Sequence, residues 1–140
     1  MIAFLPMAKK TAGYSGTPLV KKLGIKPASS LVLLREPDGF RKLLVDLPDD
    51  VRVTTRPAEA PDLTIWFVTR RGEMETAMAE RARTVGGGLW VAWPKKSSGV
   101  KSDLTEDHIR NAGLACGIVD YKVCAISDVW SGLKFAKRKS

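Results

Sequence analysis

The chain has 140 residues, enough for one domain with a single core and too few for two ordinary domains. Apolar residues make up 44% and charged residues 27%, a globular balance that excludes a disordered or low-complexity chain. The formal net charge of +8 is confined to the two ends: residues 1–27 hold Lys9, Lys10, Lys21, Lys22 and Lys26 with no acid, residues 134–140 hold Lys134, Lys137, Arg138 and Lys139, and the stretch between is close to neutral.

The opening run Met1 to Leu5 is apolar but halts at Pro6, short of a signal-peptide core or a membrane span. The expectation is a cytoplasmic protein that does not engage a membrane, with Met7 as a second candidate start. Residues 8–16 lack periodicity and read as a loosely held arm. Thr17 suits an N-cap, Pro18 a first helical position and Gly24 a left-handed close, so a short helix is expected over Pro18–Leu23. Leu31 to Leu34 is a continuous apolar run, as in a strand buried on both faces. Phe40, Leu43, Leu44 and Leu47 then repeat at helical spacing up to Pro48, which predicts a helix.

Val51 to Thr55 alternates and is rich in β-branched residues, suiting a strand near an edge. Leu63 to Val68 reads as a second buried strand. In the segment Arg71 to Val85, Met74, Met78, Ala82 and Val85 step along one helical face. Gly86-Gly87-Gly88 follows that helix and precedes the strand Leu89–Trp93, which Pro94 closes. A phosphate-cradling glycine loop lies after a strand and before a helix, so these glycines read as a helix stop and turn.

Asp103 or Thr105 is expected to cap the next helix, Asp103 having Glu106 three positions on as in a capping box, and Gly113 weakens that helix near its end. Val119 to Ile126 alternates, with Val119, Tyr121, Val123 and Ala125 on one face. Gly132 to Ala136 returns as a last strand, and the short connection makes this pair antiparallel. The order predicts an α/β fold: a three-layer Rossmann-like sandwich, mostly parallel, of about six strands ending in an antiparallel hairpin. The domain plan is a basic arm over residues 1–13, one Rossmann-like domain over 14–136 and a basic tail over 137–140.

Chemistry-bearing residues are few. Cys116 and Cys124 are too few and wrongly spaced for a zinc ribbon or a disulfide framework, and read as inert core thiols. His108 is the single histidine, so the sequence offers no metal cluster and no assembled catalytic set. No catalytic residue, metal or cofactor is assigned. The stretch after Pro94 is the candidate site: Lys95 and Lys96 leave the carboxyl end of a central strand, Ser97, Ser98 and Gly99 turn the backbone, and the following helix start adds amides. That combination suits a small anionic ligand, with Tyr14, Ser15 and Thr17 as a second lip if the arm folds over the same rim. A protein partner is the other occupant considered. The basic ends read either as solvated arms or as arms that associate with nucleic acid without sequence preference.

Two resemblances add to this reading. The succession of buried strand, helix, glycine turn, Leu89-Trp90-Val91-Ala92-Trp93, helix and final hairpin resembles the later half of class I methyltransferases. That resemblance implies a divergent transferase as the alternative function, although the S-adenosylmethionine motif is lacking: Arg35-Glu36-Pro37-Asp38-Gly39 stands where a glycine-rich loop would be, and Thr54-Thr55-Arg56 supplies no carboxylate. Over about residues 8–138, Gly13-Tyr14-Ser15-Gly16-Thr17-Pro18-Leu19, Trp93-Pro94-Lys95-Lys96, Asp103-Leu104-Thr105-Glu106 and Trp130-Ser131-Gly132-Leu133-Lys134-Phe135 resemble a bacterial, largely actinobacterial family of domains of unknown function, family 3052. That family carries no activity or site residue over to this chain.

Overall fold

A computed structural model describes residues 18–58 and 60–138; the expected arm, with Tyr14, Ser15 and Thr17, lies outside the described residues. Six strands, β1 (Ser30–Leu34), β2 (Arg52–Thr54), β3 (Leu63–Phe67), β4 (Leu89–Pro94), β5 (Ile118–Ala125) and β6 (Trp130–Lys137), form one sheet in the order β2-β1-β3-β4-β6-β5. β1 pairs parallel with β2 and β3, and β3 with β4; β6 runs antiparallel between β4 and β5. The expected hairpin therefore closes the sheet, with its second strand turned inward and β5 left at the edge.

Alternation of side chains assigns two cores to the two faces. Val32, Leu34, Trp66 and Val91 face α2 (Arg71–Arg83) and α3 (Glu106–Ala115), where Met74, Met78 and Ile109 meet them. Leu31, Leu33, Ile65, Phe67 and Trp90 face the other way, toward α1 (Leu19–Leu23) and Phe40. β3 and β4 are buried at every position, which is why both read as unbroken apolar runs.

Four expectations need correction. The helix predicted up to Pro48 is a single 3-10 turn, Phe40–Leu43. Pro37 and a left-handed Gly39 set its entry, no side chain caps it, Leu44 leaves the helical region and Asp46 adopts a positive φ of 61°. Eight residues without caps do not hold an α-helix. Phe40 and Leu44 reach the core while Leu43, Val45 and Leu47 stay exposed.

Of the two expected caps, Thr105 is the one that caps α3, which needs no correction: its hydroxyl accepts from the His108 amide and His108 Nδ1 accepts from the Thr105 amide. Gly113 is a packing requirement, because a Cβ there would enter the Phe135 ring. Both cysteines are half-buried where core positions were expected, and burial raises the Cys124 thiol pKa. On β5 a register shift between Asp120 and Lys122 interrupts the alternation and leaves Tyr121 and Val123 exposed. The glycine turn before β4 is structural as expected: a Cβ at Gly86 or Gly87 would collide with the Pro61 and Asp62 carbonyls. No helix among the described residues is long and apolar enough to cross a membrane.

Candidate functional site

Pro94 is the last residue of β4 and pairs with Trp130, after which the Lys95 amide donates to the Val129 carbonyl at 2.7 Å. Those contacts fix where the candidate loop departs from the sheet. Lys96–Ser98 forms one 3-10 turn, and Gly99 closes it at φ 83°, a backbone region that favours glycine. Ser98 Oγ donates to the Lys95 carbonyl at 2.7 Å and accepts from the Val100 amide at 3.1 Å. Its hydroxyl thus holds the loop's shape. Lys96, Ser97 and Gly99 are exposed and Lys95 is half-buried. The loop ends at buried Leu104, one residue before the cap of α3.

The structure adds two cations that the sequence reading did not put together. Between the loops after β3 and β4 lies a recess of about 590 Å³ lined by Thr69, Arg70, Glu73, Lys101, Ser102 and Asp103. Arg70 follows the carboxyl end of β3 as Lys95 follows that of β4; a basic residue after each of two buried strands was the available signal. Local carboxylates are already engaged. Glu73 pairs with Arg35 at 3.4 Å, and Asp103 Oδ1 accepts from the Arg71 amide at 2.8 Å, capping the start of α2 from another loop. The ion pairs that Glu36, Glu73, Glu75, Glu80, Glu106, Asp107 and Asp120 form among the described residues include none of Arg70, Lys95, Lys96 or Lys101.

The α3 start contributes less than expected, because Thr105 already occupies the His108 amide. His108 is a structural residue: one ring nitrogen serves the capping box and the other lies 3.1 Å from Arg71 Nη1. A neutral imidazole has one acceptor nitrogen, and two donors compete for it. Trp130 is half-buried and packs edge-to-face on Phe67, with ring centroids 5.1 Å apart. The described residues contain no group of three or more His, Cys, Asp or Glu placed to hold a metal ion.

A mixed sheet with one inward antiparallel strand and helices on both faces matches the fold of class I S-adenosylmethionine-dependent methyltransferases. Two solved structures of that class are similar to this chain. An Aquifex aeolicus methyltransferase aligns at TM-score 0.60 and 12% identity, covering 84% of this chain and 86% of its own. Magnesium protoporphyrin IX methyltransferase from Synechocystis aligns at 0.55 and 10%, covering 86% and 74%. A cyclase, SpnF, aligns at 0.51 and 10%, covering 87% and 80%, so the likeness extends to a protein named for different chemistry. At these identities the likeness shows the fold alone. No family model matches the chain, and no curated protein matches it.

The residues present do not fit the cofactor this fold family implies. A doubly wound sheet presents a nucleotide-type ligand with a glycine turn and a helix N-terminus after its first strand. Here β1 is followed by a left-handed Arg35, the Glu36–Arg41 ion pair at 3.1 Å, Pro37 without an N–H and a 3-10 turn in place of a helix. At the end of β2, Thr54 Oγ1 accepts from the Arg56 amide, and Thr54-Thr55-Arg56 supplies no carboxylate to hold ribose hydroxyls.

Proposed function

We propose that the chain is a noncatalytic module on a methyltransferase-type fold that binds a small anionic ligand at the rim beyond Trp93. Lys95, Lys96 and Ser97 supply the contacts, Ser98 and Gly99 shape the loop, and Arg70 and Lys101 extend the positive field over the neighbouring recess. One observation carries this reading: four cations leave the carboxyl ends of two adjacent parallel strands while the nearby carboxylates, Glu73 and Asp103, are bound to other groups. Ligands of open α/β sheets bind at that end of the strands. Tyr14, Ser15 and Thr17 join the proposal as a second lip, and the proposed compartment is the cytoplasm. The motifs that resemble family 3052 support placing the chain there.

Thermal shift and calorimetry with pyrophosphate and phosphorylated metabolites test the reading. Stabilisation of the wild type that disappears in Lys95→Ala/Lys96→Ala is the expected result; equal shifts in both proteins would remove it.

The alternative, a divergent methyltransferase, rests on the fold. Calorimetry with S-adenosylmethionine at millimolar concentration separates the two, since saturable binding there would favour the enzyme.

A further inference from the structure

The charge excess of the two chain ends is not absorbed by the rim, and the topology brings it together elsewhere. Leu31 registers with Leu63, Thr64 with Leu89 and Leu89 with Phe135, so the start of β1 and the end of β6 lie along one edge of the sheet, opposite the rim. Lys26 enters β1 at that edge, while Lys137 and Arg138 leave β6 there, Lys137 beside Ile118. Lys26, Lys137 and Arg138 therefore lie at the same end of the sheet, with β3 and β4 between the strands that carry them.

The register shift in β5 concentrates this charge further. It sets Lys122 opposite Lys134 across the β5–β6 ladder, a like-charge pairing that costs stability. Lys122 Nζ donates to the Lys22 carbonyl at 2.9 Å and Lys134 Nζ to the Leu23 carbonyl at 3.3 Å, which draws both ammonium groups to the end of α1 beside Lys22. Lys134 also lines a recess of about 470 Å³ with Lys26. The ion pairs that Glu36, Glu73, Glu75, Glu80, Glu106, Asp107 and Asp120 form among the described residues include none of Lys22, Lys26, Lys122, Lys134, Lys137 or Arg138. Asp62, which shares that recess, accepts from the Ser30 amide and hydroxyl. Tyr121 stands in the same patch, 56% exposed, with its ring centroid 5.8 Å from Lys134 Nζ.

We propose that this basic edge binds single-stranded nucleic acid, its phosphates following Lys22, Lys26, Lys122 and Arg138 and one base stacking on Tyr121. Spread over α1, the loop before β1 and the last hairpin, the cations suit an extended polyanion better than one small ion. An open aromatic ring among lysines takes an unstacked base, which a duplex withholds. α1, the helix at this edge, has five residues and packs on the sheet, so it offers no element for a major groove.

Fluorescence anisotropy with a labelled 12-nucleotide oligothymidine, the matching duplex and the full chain tests the proposal. For about four phosphates neutralised, log K should fall against log salt with a slope of about −3, or roughly −0.7 per phosphate. Lys26→Gln/Lys122→Gln should reduce that slope by about 1.4. Tyr121→Ala should weaken binding by roughly fivefold or more and leave the slope unchanged. Lys95→Ala/Lys96→Ala should bind the oligonucleotide like the wild type, which keeps this surface separable from the rim. Salt-independent binding, duplex binding as tight as single-strand binding, an unaltered Tyr121→Ala, equal loss in the rim variant, or binding only to pyrophosphate or anionic vesicles would each overturn the proposal. Circular dichroism of every variant confirms that the fold persists.

Discussion

The indole Nε1 of Trp90 donates to the carbonyl of Leu23 at 2.9 Å, across 67 residues of sequence. Trp90 is fully buried on β4, and this bond ties the end of α1 to the centre of the sheet. The same carbonyl receives Lys134 Nζ at 3.3 Å, so one oxygen holds α1, β4 and β6 together. Trp90→Phe removes a donor and leaves space where the larger ring was. The expected loss is about 2–3 kcal/mol of folding stability. Urea unfolding of the two proteins reads it as a lower midpoint at unchanged slope.

Gly113 in α3 should behave against its helix propensity. Alanine in a helix interior is ordinarily favoured over glycine by about 1 kcal/mol. A Cβ at this position meets the Phe135 ring, which is itself fully buried, so neither partner can give way cheaply. Gly113→Ala is expected to lower the melting temperature rather than raise it. Adding Phe135→Leu should recover part of the loss, a coupling that a double-mutant cycle measures directly.

That glycine illustrates what the sequence could and could not convey. Unbroken apolar runs made β1, β3 and β4 legible because burial on both faces suppresses polar alternation. Pro18 and Gly24 likewise bounded α1 by local chemistry. Gly113 looked like a weakness because its reason, Phe135, is more than twenty residues away. Asp103 was one of two candidate caps for the helix after it; Thr105 takes that place, and the Asp103 carboxylate reaches the amide of Arg71, thirty-two residues earlier. The spacing of Phe40, Leu43, Leu44 and Leu47 fitted a helix, yet backbone turns at Gly39 and Asp46 placed just Phe40 and Leu44 inside. Of the candidate site, Lys95 through Gly99 follow β4 as expected; Arg70 joined the rim through β3–β4 adjacency, which is a property of topology. The opposition of Lys122 and Lys134 depends on a register shift that no local pattern announces.

Lys134 gives the fold a measurable pH signature. Partial burial lowers its pKa, and repulsion from Lys122 and Lys26 adds to the shift, with Cys124 acting weakly the other way. Lys22, Tyr121, the Trp90 ring and, in the shared recess, Asp62 also surround it. With the folded pKa below the unfolded one, the cost of holding the ammonium is fully present below the folded value and is relieved as pH rises through it, because the unfolded chain then binds more protons. The Cys124 and Tyr121 pKa values are raised by burial, which makes their own contributions fall in alkali; because Lys134 lowers the Cys124 pKa, that fall is larger in Lys134→Met and works in the same direction. The stability of the wild type relative to Lys134→Met should therefore increase with pH on the alkaline side, up to the ordinary lysine value of about 10.5. Chemical unfolding at intervals across that window checks the sign; a flat or falling difference would contradict the assignment.

Asp103 should show opposite effects on stability and on ligand affinity. Its carboxylate accepts from the Arg71 amide and so neutralises the positive start of α2, while it also lines the recess that Arg70 and Lys101 share. Asp103→Asn retains an oxygen for that amide but removes the charge, and is expected to cost about 0.5–1 kcal/mol of stability. Asp103→Ala removes both the charge and the acceptor, and should cost about 1–2 kcal/mol. At the rim each substitution deletes a negative charge from among exposed cations, where screening keeps the effect modest. Pyrophosphate should consequently bind roughly twofold to fivefold tighter to Asp103→Asn than to the wild type. Calorimetry on the folded variants, paired with urea unfolding, measures the two effects separately. Weaker pyrophosphate binding in Asp103→Asn would show that the carboxylate orders the site for its ligand, and would contradict an anion held chiefly by the field of Arg70, Lys95, Lys96 and Lys101.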